Sequence, residues 1–585
     1  KVINYLFFFS LVTCLLQGSI NFNYESKYGD GSNVDDFTQD TTSYYYFENL
    51  LDINFNYNNF YIYTQLEYSN PPIYGYDKTK INNLLDSYFI EYSNSSLMFK
   101  WGYLQSLYGY GLDINMFQDQ TIDFDNRIKG IELKYFPNDI ADLFFISGKG
   151  SYGSKSSGAL RANDIIFDHR LDTYGIQLYS NFGDFSISSS NKKTYYSGGI
   201  YSKLMNSDSR LSIDLQDYIF NDFSIYDSLI NSDSQVESNG INFSYSKTLG
   251  DFDIYIENHI NTYSKILRED ENENGYLKYF SLSGDLFGLN LLYEYKDYNM
   301  LYYMPIISSP PLVFGETTSI LISRIQHNIN FADEIGHQLE LRFDSKDNIS
   351  YIMNLSVGMK HSGIRNPNSF YFDEDFNLIY GTYESVSFKD FFGKNIYHLN
   401  GGMNFMDEDL RAHKPFRDFY TEASMWNDNN TFYYKLGYHS HYSYDNESGK
   451  NYQAYTIPMQ SVIALKNQNS LTIYAEHQYT KNLVANFDSF DQDIYKSQHM
   501  AISYHMNKVG NISYFIDEEV SKKYINNSSK KQTWDGIEIS FELSSTIQFS
   551  VFKGSQKGGL VCANGVCAVQ PSFEDGIKVT FRALF

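Results

Sequence analysis

Two of the three cysteines in this sequence lie close together near the end of the chain. Cys562 and Cys567 enclose Ala-Asn-Gly-Val, and the third cysteine, Cys14, lies in an apolar N-terminal stretch. Asn-Gly is a strong signal for a tight turn, which brings the residues on either side of it together. In an exported protein we therefore expect a disulfide between Cys562 and Cys567. A metal site is the weaker alternative, because no second Cys or His pair is nearby to complete four ligands.

Candidate metal ligands are otherwise sparse. His439 and His441 lie two residues apart, so on a strand both would share one face and could chelate a metal, but no third ligand is evident. Residues 268–275 contain Asp-Glu-Asn-Glu-Asn-Gly, the first half of a calcium loop, whereas its twelfth position is Ser281 and not a bidentate Glu. We predict no resident metal or cofactor, and calcium binding by 268–275 is left open.

A run of glycines and aromatics at 101–112 is followed by charged residues that could line a path for solutes. These are Asp123, Asp125, Arg127 and Lys129, and the spacing of the two cations would place both on one strand face. One interpretation is a loop that packs on itself, with a buried cation paired to Asp123 or Asp125. The other is a constriction inside a barrel that selects solutes. We favour the self-packed loop and leave the constriction open.

Neither hydrolytic chemistry nor nucleic-acid binding is predicted. Serines and 12 histidines are scattered along the chain, but no Gly-x-Ser-x-Gly context marks an activated nucleophile, so we predict that the protein is not an enzyme. The formal net charge of −25, from 70 acidic and 45 basic residues, repels phosphate backbones. We assign the acidity to solvated loops and to a water-filled interior.

The elements that would position these residues are β-strands. At 576–585 the chain reads Gly-Ile-Lys-Val-Thr-Phe-Arg-Ala-Leu-Phe, so apolar and polar side chains alternate between the two faces of one strand. Because it ends on Phe585, this segment resembles the assembly signal of Gram-negative outer-membrane barrels. The resemblance implies that Phe581 and Phe585 face lipid and that the barrel-assembly machinery recognises them.

The same period of two recurs upstream, which argues against amphipathic helices. Clear examples lie at 51–57, 211–215, 241–245, 339–343 and 537–543. Short turns of the Gly-Asp class join strands in pairs at 183–184, 249–251 and 287–288. Long polar segments separate the pairs, among them 106–126, 480–493 and 519–533. Many prolines lie in or beside these segments, and Pro458 is an exception inside a strand-like run.

Composition agrees with a membrane barrel. Aromatic residues make up 18% of the chain, with 55 Tyr and 46 Phe, yet the mean hydropathy is −0.42. A lipid-facing apolar band, aromatic girdles and a wet interior together need this mixture. We predict an all-β fold, a single large transmembrane antiparallel β-barrel of about 24–26 strands, with short periplasmic turns and long extracellular loops. A soluble all-β or solenoid protein is the alternative.

The start of the chain predicts export. Lys1 precedes an apolar run at 5–16 that is too short to span a bilayer and is followed by small residues, as in a secretory signal peptide. Acylation of Cys14, as in a lipoprotein, is the less favoured alternative. We predict a signal peptide at 1–19, a barrel at 20–585, and residence in the outer membrane of a Gram-negative bacterium in contact with its lipid.

Four segments carry a resemblance to a known family. They are Gly-Tyr-Leu…Tyr-Gly-Tyr-Gly-Leu at 102–112, Asp-Asn-Arg-Ile-Lys-Gly at 125–130, Pro-Pro-Leu-Val at 310–313 and Gly-Gly-Leu-Val-Cys-Ala-Asn-Gly-Val-Cys at 558–567. They are similar to a family of large outer-membrane proteins from Bacteroidetes-like bacteria that is described as a domain of unknown function. The resemblance covers nearly the whole chain after the leader, and the cysteine segment is its most specific part. It implies the barrel fold and no established activity.

Two functions from different classes follow. A porin-like channel or transporter for small solutes fits the polar strand face and the large volume that such a barrel encloses. An acidic interior would favour cations or neutral solutes over anions. The alternative is a structural or interaction barrel that anchors a periplasmic or cell-surface assembly without an open pore. We predict the first function, and an open path through the barrel would distinguish the two.

Overall fold

The described part of the chain is built around one closed β-sheet. The computed structural model describes residues 18–34, 41–73, 84–119, 124–152, 167–196, 234–265, 274–300, 311, 313–315, 319–325, 333–345, 348–359, 371–372, 378–379, 416–445, 450–485, 490–523, 528–563, 566–570 and 572–585. The predicted signal peptide at 1–19 lies almost wholly outside these residues and stays a prediction. The predicted strand at 211–215 lies wholly outside the described residues and also stays a prediction.

The sheet has 24 antiparallel strands. In chain order they are β1 Ser19–Val34, β2 Thr41–Tyr57, β3 Phe60–Ser69, β4 Leu85–Ser93, β5 Leu97–Leu104, β6 Ile128–Asn138, β7 Ala141–Tyr152, β8 Phe167–Leu178, β9 Asp184–Tyr196, β10 Ser234–Leu249, β11 Phe252–Lys265, β12 Asn274–Leu286, β13 Leu289–Asn299, β14 Asp333–Asp344, β15 Ile349–Met359, β16 Phe416–Trp426, β17 Phe432–Asp445, β18 Lys450–Ala464, β19 Ser470–Ala485, β20 Phe490–Met506, β21 Gly510–Lys523, β22 Ser528–Ser544, β23 Ile547–Gln556 and β24 Phe573–Leu584. Each strand pairs with the next one, and β24 pairs with β1, so the barrel has no open edge. The predicted all-β barrel and its strand number are confirmed.

The first and last strands meet along a seam. Tyr24 lies opposite Ala583 in the β1–β24 register, and the ring of Phe581 lies 6.1 Å from that of Tyr24. At the end of the seam the Phe22 N–H donates to the Phe585 carbonyl (2.9 Å), and the Phe585 N–H donates to the Phe22 carbonyl (2.8 Å). The last residue therefore takes part in closing the barrel, while its recognition by an assembly machinery stays a prediction.

The two ends of the barrel are unlike each other. Connections that follow even-numbered strands are short turns, as at 58–59, 250–251 and 287–288. Most of those that follow odd-numbered strands are longer, and the exceptions are the short connections at 446–449, 486–489 and 524–527. This confirms the predicted alternation of short turns and long loops. The loops predicted at 480–493 and 519–533 are shorter in the structure than predicted, because strands β19 to β22 continue into both ranges. These strands have 14 to 17 residues, whereas a tilted strand needs roughly ten to cross a bilayer, so in a membrane their polar ends would pair beyond it.

The two faces of the sheet differ in polarity. Along β10 and β11, Asn242, Ser244, Glu257 and His259 point into the barrel and are buried. On the other face the exposed side chains of these and other strands are apolar: Ile131, Leu133, Ile187, Ile241, Phe243, Ile256 and Ile260. The half-buried Asn258, between Glu257 and His259, is an exception. Successive strand residues face opposite sides, so this alternation puts a polar surface inside and an apolar surface outside.

Pro458 lies inside β18, where the sequence pattern is exceptional. The β17–β18 ladder passes from the Leu436–Met459 pair to the His439–Thr456 pair and skips the residues between them. Proline has no N–H to donate to a ladder, which accounts for the interruption beside it.

Several short elements lie outside the barrel sheet. Four two-stranded pairs are Leu107–Tyr108 with Ile114–Asn115, Gln118–Asp119 with Phe124–Asp125, Tyr371–Phe372 with Leu378–Ile379, and Gly559–Ala563 with Val566–Gln570. Helical structure is limited, in the described ranges, to a turn of α-helix at Ile320–Ser323 and a turn of 3-10 helix at Lys466–Gln468. In the described residues no helix is long and apolar enough to cross a membrane.

Candidate functional site

Two connections fold back into the barrel and contact its inner wall. We call the described residues of 105–127 the first inward segment and those of 311–325 the second inward segment. Leu112 of the first segment and Val313 of the second lie in one buried cluster. The wall contributes Leu277, Tyr279 and Tyr298 to that cluster. The two segments therefore meet inside the barrel and narrow its interior.

Glu257 of β11 holds the tip of the first inward segment. The Tyr110 N–H donates to Glu257 Oε2 (2.7 Å), and the same carboxylate accepts from the Tyr255 hydroxyl (2.7 Å) and from Asn242 Nδ2 (2.9 Å). Gly109 lies beside it with φ +60°, and a Cβ at this position would come within 2.6 Å of both carboxylate oxygens. Only glycine fits this close approach and this backbone conformation.

A buried ion pair holds the next turn of the first inward segment. Lys192 Nζ lies 2.8 Å from Asp113 Oδ1 and donates to the Asp113 carbonyl (2.9 Å), while the Ser190 hydroxyl donates to Asp113 Oδ1 (2.9 Å). His259 Nδ1 is 3.7 Å from the same oxygen. Burial alone would raise the pKa of the Asp113 carboxyl, but Lys192 and His259 bring that pKa below its usual value. Asp113 is therefore a buried carboxylate that stays ionised.

Glu132 of β6 holds the start of the same segment. Its carboxylate accepts from the Ser106 hydroxyl (2.7 Å) and from the Tyr108 hydroxyl (2.9 Å), and Lys134 Nζ lies 3.4 Å away. The Tyr108 ring stacks on Phe144 of β7 with their centroids 4.0 Å apart. Polar and aromatic contacts together fasten this end of the segment to the wall.

The predicted charged cluster is only partly assembled. Arg127 is buried and donates to both Asp125 oxygens, from Nε and from Nη2, each at 2.9 Å. Lys129 lies on the outward face of β6 beside the exposed Ile131, with its Nζ 4.9 Å from the centroid of the Tyr88 ring. Asp123 lies outside the described residues. The structure thus brings Asp125 and Arg127 together and places Lys129 on the opposite side of the wall.

Glu476 of β19 caps the helical turn of the second inward segment. Its two oxygens accept from the Ile320 N–H (2.8 Å) and the Leu321 N–H (2.7 Å), and Gln478 Nε2 donates to the Leu321 carbonyl (2.9 Å). A carboxylate at this position satisfies two amide groups that a helix start leaves without an intrahelical partner.

Asp517 of β21 holds the end of the same turn. The Arg324 guanidinium donates to both of its oxygens, at 3.3 and 3.1 Å. His499 Nδ1 of β20 lies 2.9 Å from Asp517 Oδ1. Because the planar guanidinium donates to both carboxylate oxygens, this contact fixes the orientation of the Arg324 side chain as well as its position.

His439 and His441 share the inner face of β17, as their spacing predicted. The structure adds a residue that the sequence did not point to, Asp418 of β16, whose Oδ2 lies 2.6 Å from His439 Nε2 and 3.0 Å from His441 Nδ1. The possible calcium loop at 268–275 lies almost wholly outside the described residues.

Cys562 and Cys567 lie directly opposite each other in a two-stranded hairpin. Cα atoms of opposed residues in an antiparallel pair are about 4.5–5.5 Å apart, which lies inside the range that a disulfide spans. This register is compatible with the predicted disulfide, which stays a prediction.

The residues that hold the inward segments were missed by reasoning from the sequence: Asp113, Lys192, Glu257, Glu476 and Asp517. Strand alternation does place the four wall residues on an inner face. Their partners lie 79 to 193 residues away along the chain, and no local pattern reveals such pairings.

Comparisons with known proteins give a family and a set of distant structural matches. The chain belongs to the Family of unknown function (DUF6029), whose model matches residues 3–585. A search of the curated proteins finds no match.

Among solved structures, a mutant of the ferric enterobactin receptor PfeA from Pseudomonas aeruginosa matches with TM-score 0.41 and 8% identity over 97% of this chain and 80% of that one. The siderophore receptor PirA from Pseudomonas aeruginosa matches with TM-score 0.42 and 7% identity, again over 97% and 80%. Pseudomonas aeruginosa OccK2 (OpdF) in complex with glucuronate matches with TM-score 0.34 and 8% identity over 77% of this chain and 97% of that one.

Proposed function

We propose that this member of the family is an outer-membrane β-barrel that acts as a channel or transporter for small solutes, with its two inward segments as the constriction. The observation that carries the proposal is the closed sheet with an apolar outer and a polar inner face. In a bilayer every backbone polar group needs a partner, and a closed barrel supplies one without an edge. A polar inner face is suited to water and solutes, whereas a soluble barrel would bury apolar side chains there.

We propose that the protein resides in the outer membrane of a Gram-negative bacterium. We also propose that this bacterium belongs to the Bacteroidetes-like group. A signal peptide at 1–19 would direct export, and the barrel-assembly machinery would insert the chain by its last strand. The short turns would then face the periplasm and the long connections the cell exterior, as is general for barrels of this class.

The inward segments favour a gated path over a wide pore. They are held by hydrogen bonds and ion pairs to the wall, of which Glu257, Asp113, Glu476 and Asp517 are the centres. Contacts with water can replace these polar contacts, so a segment that leaves the small apolar cluster of Leu112 and Val313 can be released. The two inward segments inside the barrel also suit the alternative function, in which the barrel anchors an assembly and never opens.

Single-channel recording in planar bilayers tests the proposal. We expect small conductance steps from the wild type and larger steps from the double variant Glu476→Gln, Asp517→Asn, because both groups that hold the second inward segment lose their charge. The control is Ile241→Leu on the outer face, which should conduct as the wild type does. Heat-modifiable gel migration confirms that each protein is a folded barrel. If the wild type and the double variant are folded and inserted but neither conducts, the anchoring function replaces the channel.

A further inference from the structure

We infer that Asp418, His439 and His441 form a binding site for a divalent transition-metal ion of the Zn²⁺ type on the inner wall of the barrel. The three side chains come from two adjacent strands and are 1–3% exposed. Asp418 lies opposite His441 in the β16–β17 register, and His439 is the next residue on the same face of β17. One carboxylate and two imidazoles therefore converge on one point from a rigid part of the sheet.

The donor atoms have the spacing that a metal ion needs. One ligand atom from each residue lies within 4.8 Å of the other two. Zinc binds imidazole nitrogen and carboxylate oxygen at about 2.0–2.2 Å, so neighbouring donors in a tetrahedral site are roughly 3.4 Å apart. The observed contacts of 2.6 and 3.0 Å to Asp418 Oδ2 widen to that distance by a movement of less than about 1 Å. The fourth position is left for water or a solute.

Charge distinguishes this cluster from the other histidine–aspartate contacts on the inner wall. Asp113 has Lys192 beside His259, and Asp517 has Arg324 beside His499. In the described part of the chain the two histidines are the only ionisable groups within contact distance of the Asp418 carboxylate. A buried carboxylate with two neutral imidazoles carries an uncompensated negative charge, which is costly. A divalent cation compensates it, and protonation of one histidine is the competing way to do so.

The surroundings of His441 also fit a metal ligand. Its second nitrogen, Nε2, lies 3.1 Å from the Ser443 hydroxyl. A ligating histidine generally donates its other N–H to a nearby oxygen, which fixes the ring orientation and the tautomer. Two imidazoles and one carboxylate suit Zn²⁺, Ni²⁺, Cu²⁺ or Fe²⁺, whereas Ca²⁺ and Mg²⁺ prefer oxygen ligands alone.

Equilibrium binding of Zn²⁺ to the purified, chelator-treated full-length barrel in detergent tests the inference. We expect one tightly bound Zn²⁺ by calorimetry and elemental analysis, and no comparable binding of Ca²⁺. Co²⁺ should give the visible absorption of a low-coordinate site. Asp418→Asn, His439→Gln and His441→Gln should each weaken Zn²⁺ binding by more than about tenfold, since removal even of groups behind the ligands costs that much.

His499→Gln is the matched control, because it removes a histidine that also contacts an aspartate on the inner wall. It should bind Zn²⁺ as the wild type does. Folding of every variant is checked by gel migration and circular dichroism, so a lost site is not mistaken for a lost barrel. Absence of stoichiometric Zn²⁺ binding, or an equal loss in His499→Gln, overturns the inference and leaves a proton as the compensating charge. Binding is measured without transport, so the result does not depend on whether the barrel conducts.

Discussion

Neutralising Asp113 should release the first inward segment while the barrel stays intact. Asp113→Asn leaves the Lys192 ammonium, which is 5% exposed, without its carboxylate partner. Removal of one member of a buried ion pair costs about 3–5 kcal/mol, because the remaining charge is uncompensated. At 1.36 kcal/mol for each factor of ten, the equilibrium between docked and released segment shifts by roughly 10²- to 10⁴-fold.

Hydrogen exchange followed by mass spectrometry measures this shift. The Tyr110 N–H is bonded to Glu257 only while the segment is docked, so peptides that cover 105–119 should lose protection by the factor given above. The barrel strands should keep their protection, because the ladder hydrogen bonds do not involve Asp113. The double variant Asp113→Asn, Lys192→Met removes both charges and should recover much of the loss, since a neutral pair leaves no buried charge.

Lys278→Met is the control for this experiment. Lys278 and Asp297 form a similar pair at 3.3 Å, but the lysine side chain is 46% exposed. Such pairs contribute about 1 kcal/mol or less, so peptides 105–119 should be unaffected. Unchanged protection in Asp113→Asn would refute the ion-pair anchor. A double variant that loses as much protection as Asp113→Asn does would show that the uncompensated charge of Lys192 is not the cause of the loss.

The other predictions concern the seam and the cysteine hairpin. Deletion of Phe585 removes the two backbone hydrogen bonds to Phe22 and should lower the folded amount in the outer membrane more than Thr580→Ala does; equal yields would contradict a role for the last residue. Mass spectrometry of protein digested without reductant should find Cys562 joined to Cys567, with Cys562→Ser as control, and reduction should leave the barrel folded. Two free thiols in protein taken from the cell surface would contradict the disulfide.

The barrel could be predicted because its signal is repeated in almost every strand. Segments such as 241–245 and 537–543 alternate strictly, and this pattern follows from one polar and one apolar surface. Short turns such as 250–251 join the strands in pairs, which predicts an even strand number. Because longer connections separate the pairs, they also predict two unlike ends. Strand ends were predicted less well, because the polar strand residues beyond the apolar band have the composition of loops.

The interior could not be predicted in the same way. Alternation places Glu257 on the inner face, but it does not show that the amide of Tyr110, 147 residues away, is its partner. The site around His439 illustrates the same limit. Its spacing from His441 was visible, whereas Asp418 becomes a neighbour only through the β16–β17 register, which no local pattern encodes.

The contacts inside the barrel also determine which acidic residues could give the barrel a preference for cations. A net charge of −25 suggests a strongly negative interior, yet several buried acids have a cation beside them. Three examples are the ion pairs of Lys192 with Asp113, of Lys296 with Glu334 at 2.5 Å, and of Arg324 with Asp517. Glu257 and Glu476 differ, because they are held by neutral N–H and hydroxyl groups. Each holds an inward segment, so release of that segment would leave its charge facing the path. A preference for cations would therefore depend on these two carboxylates more than on the total charge.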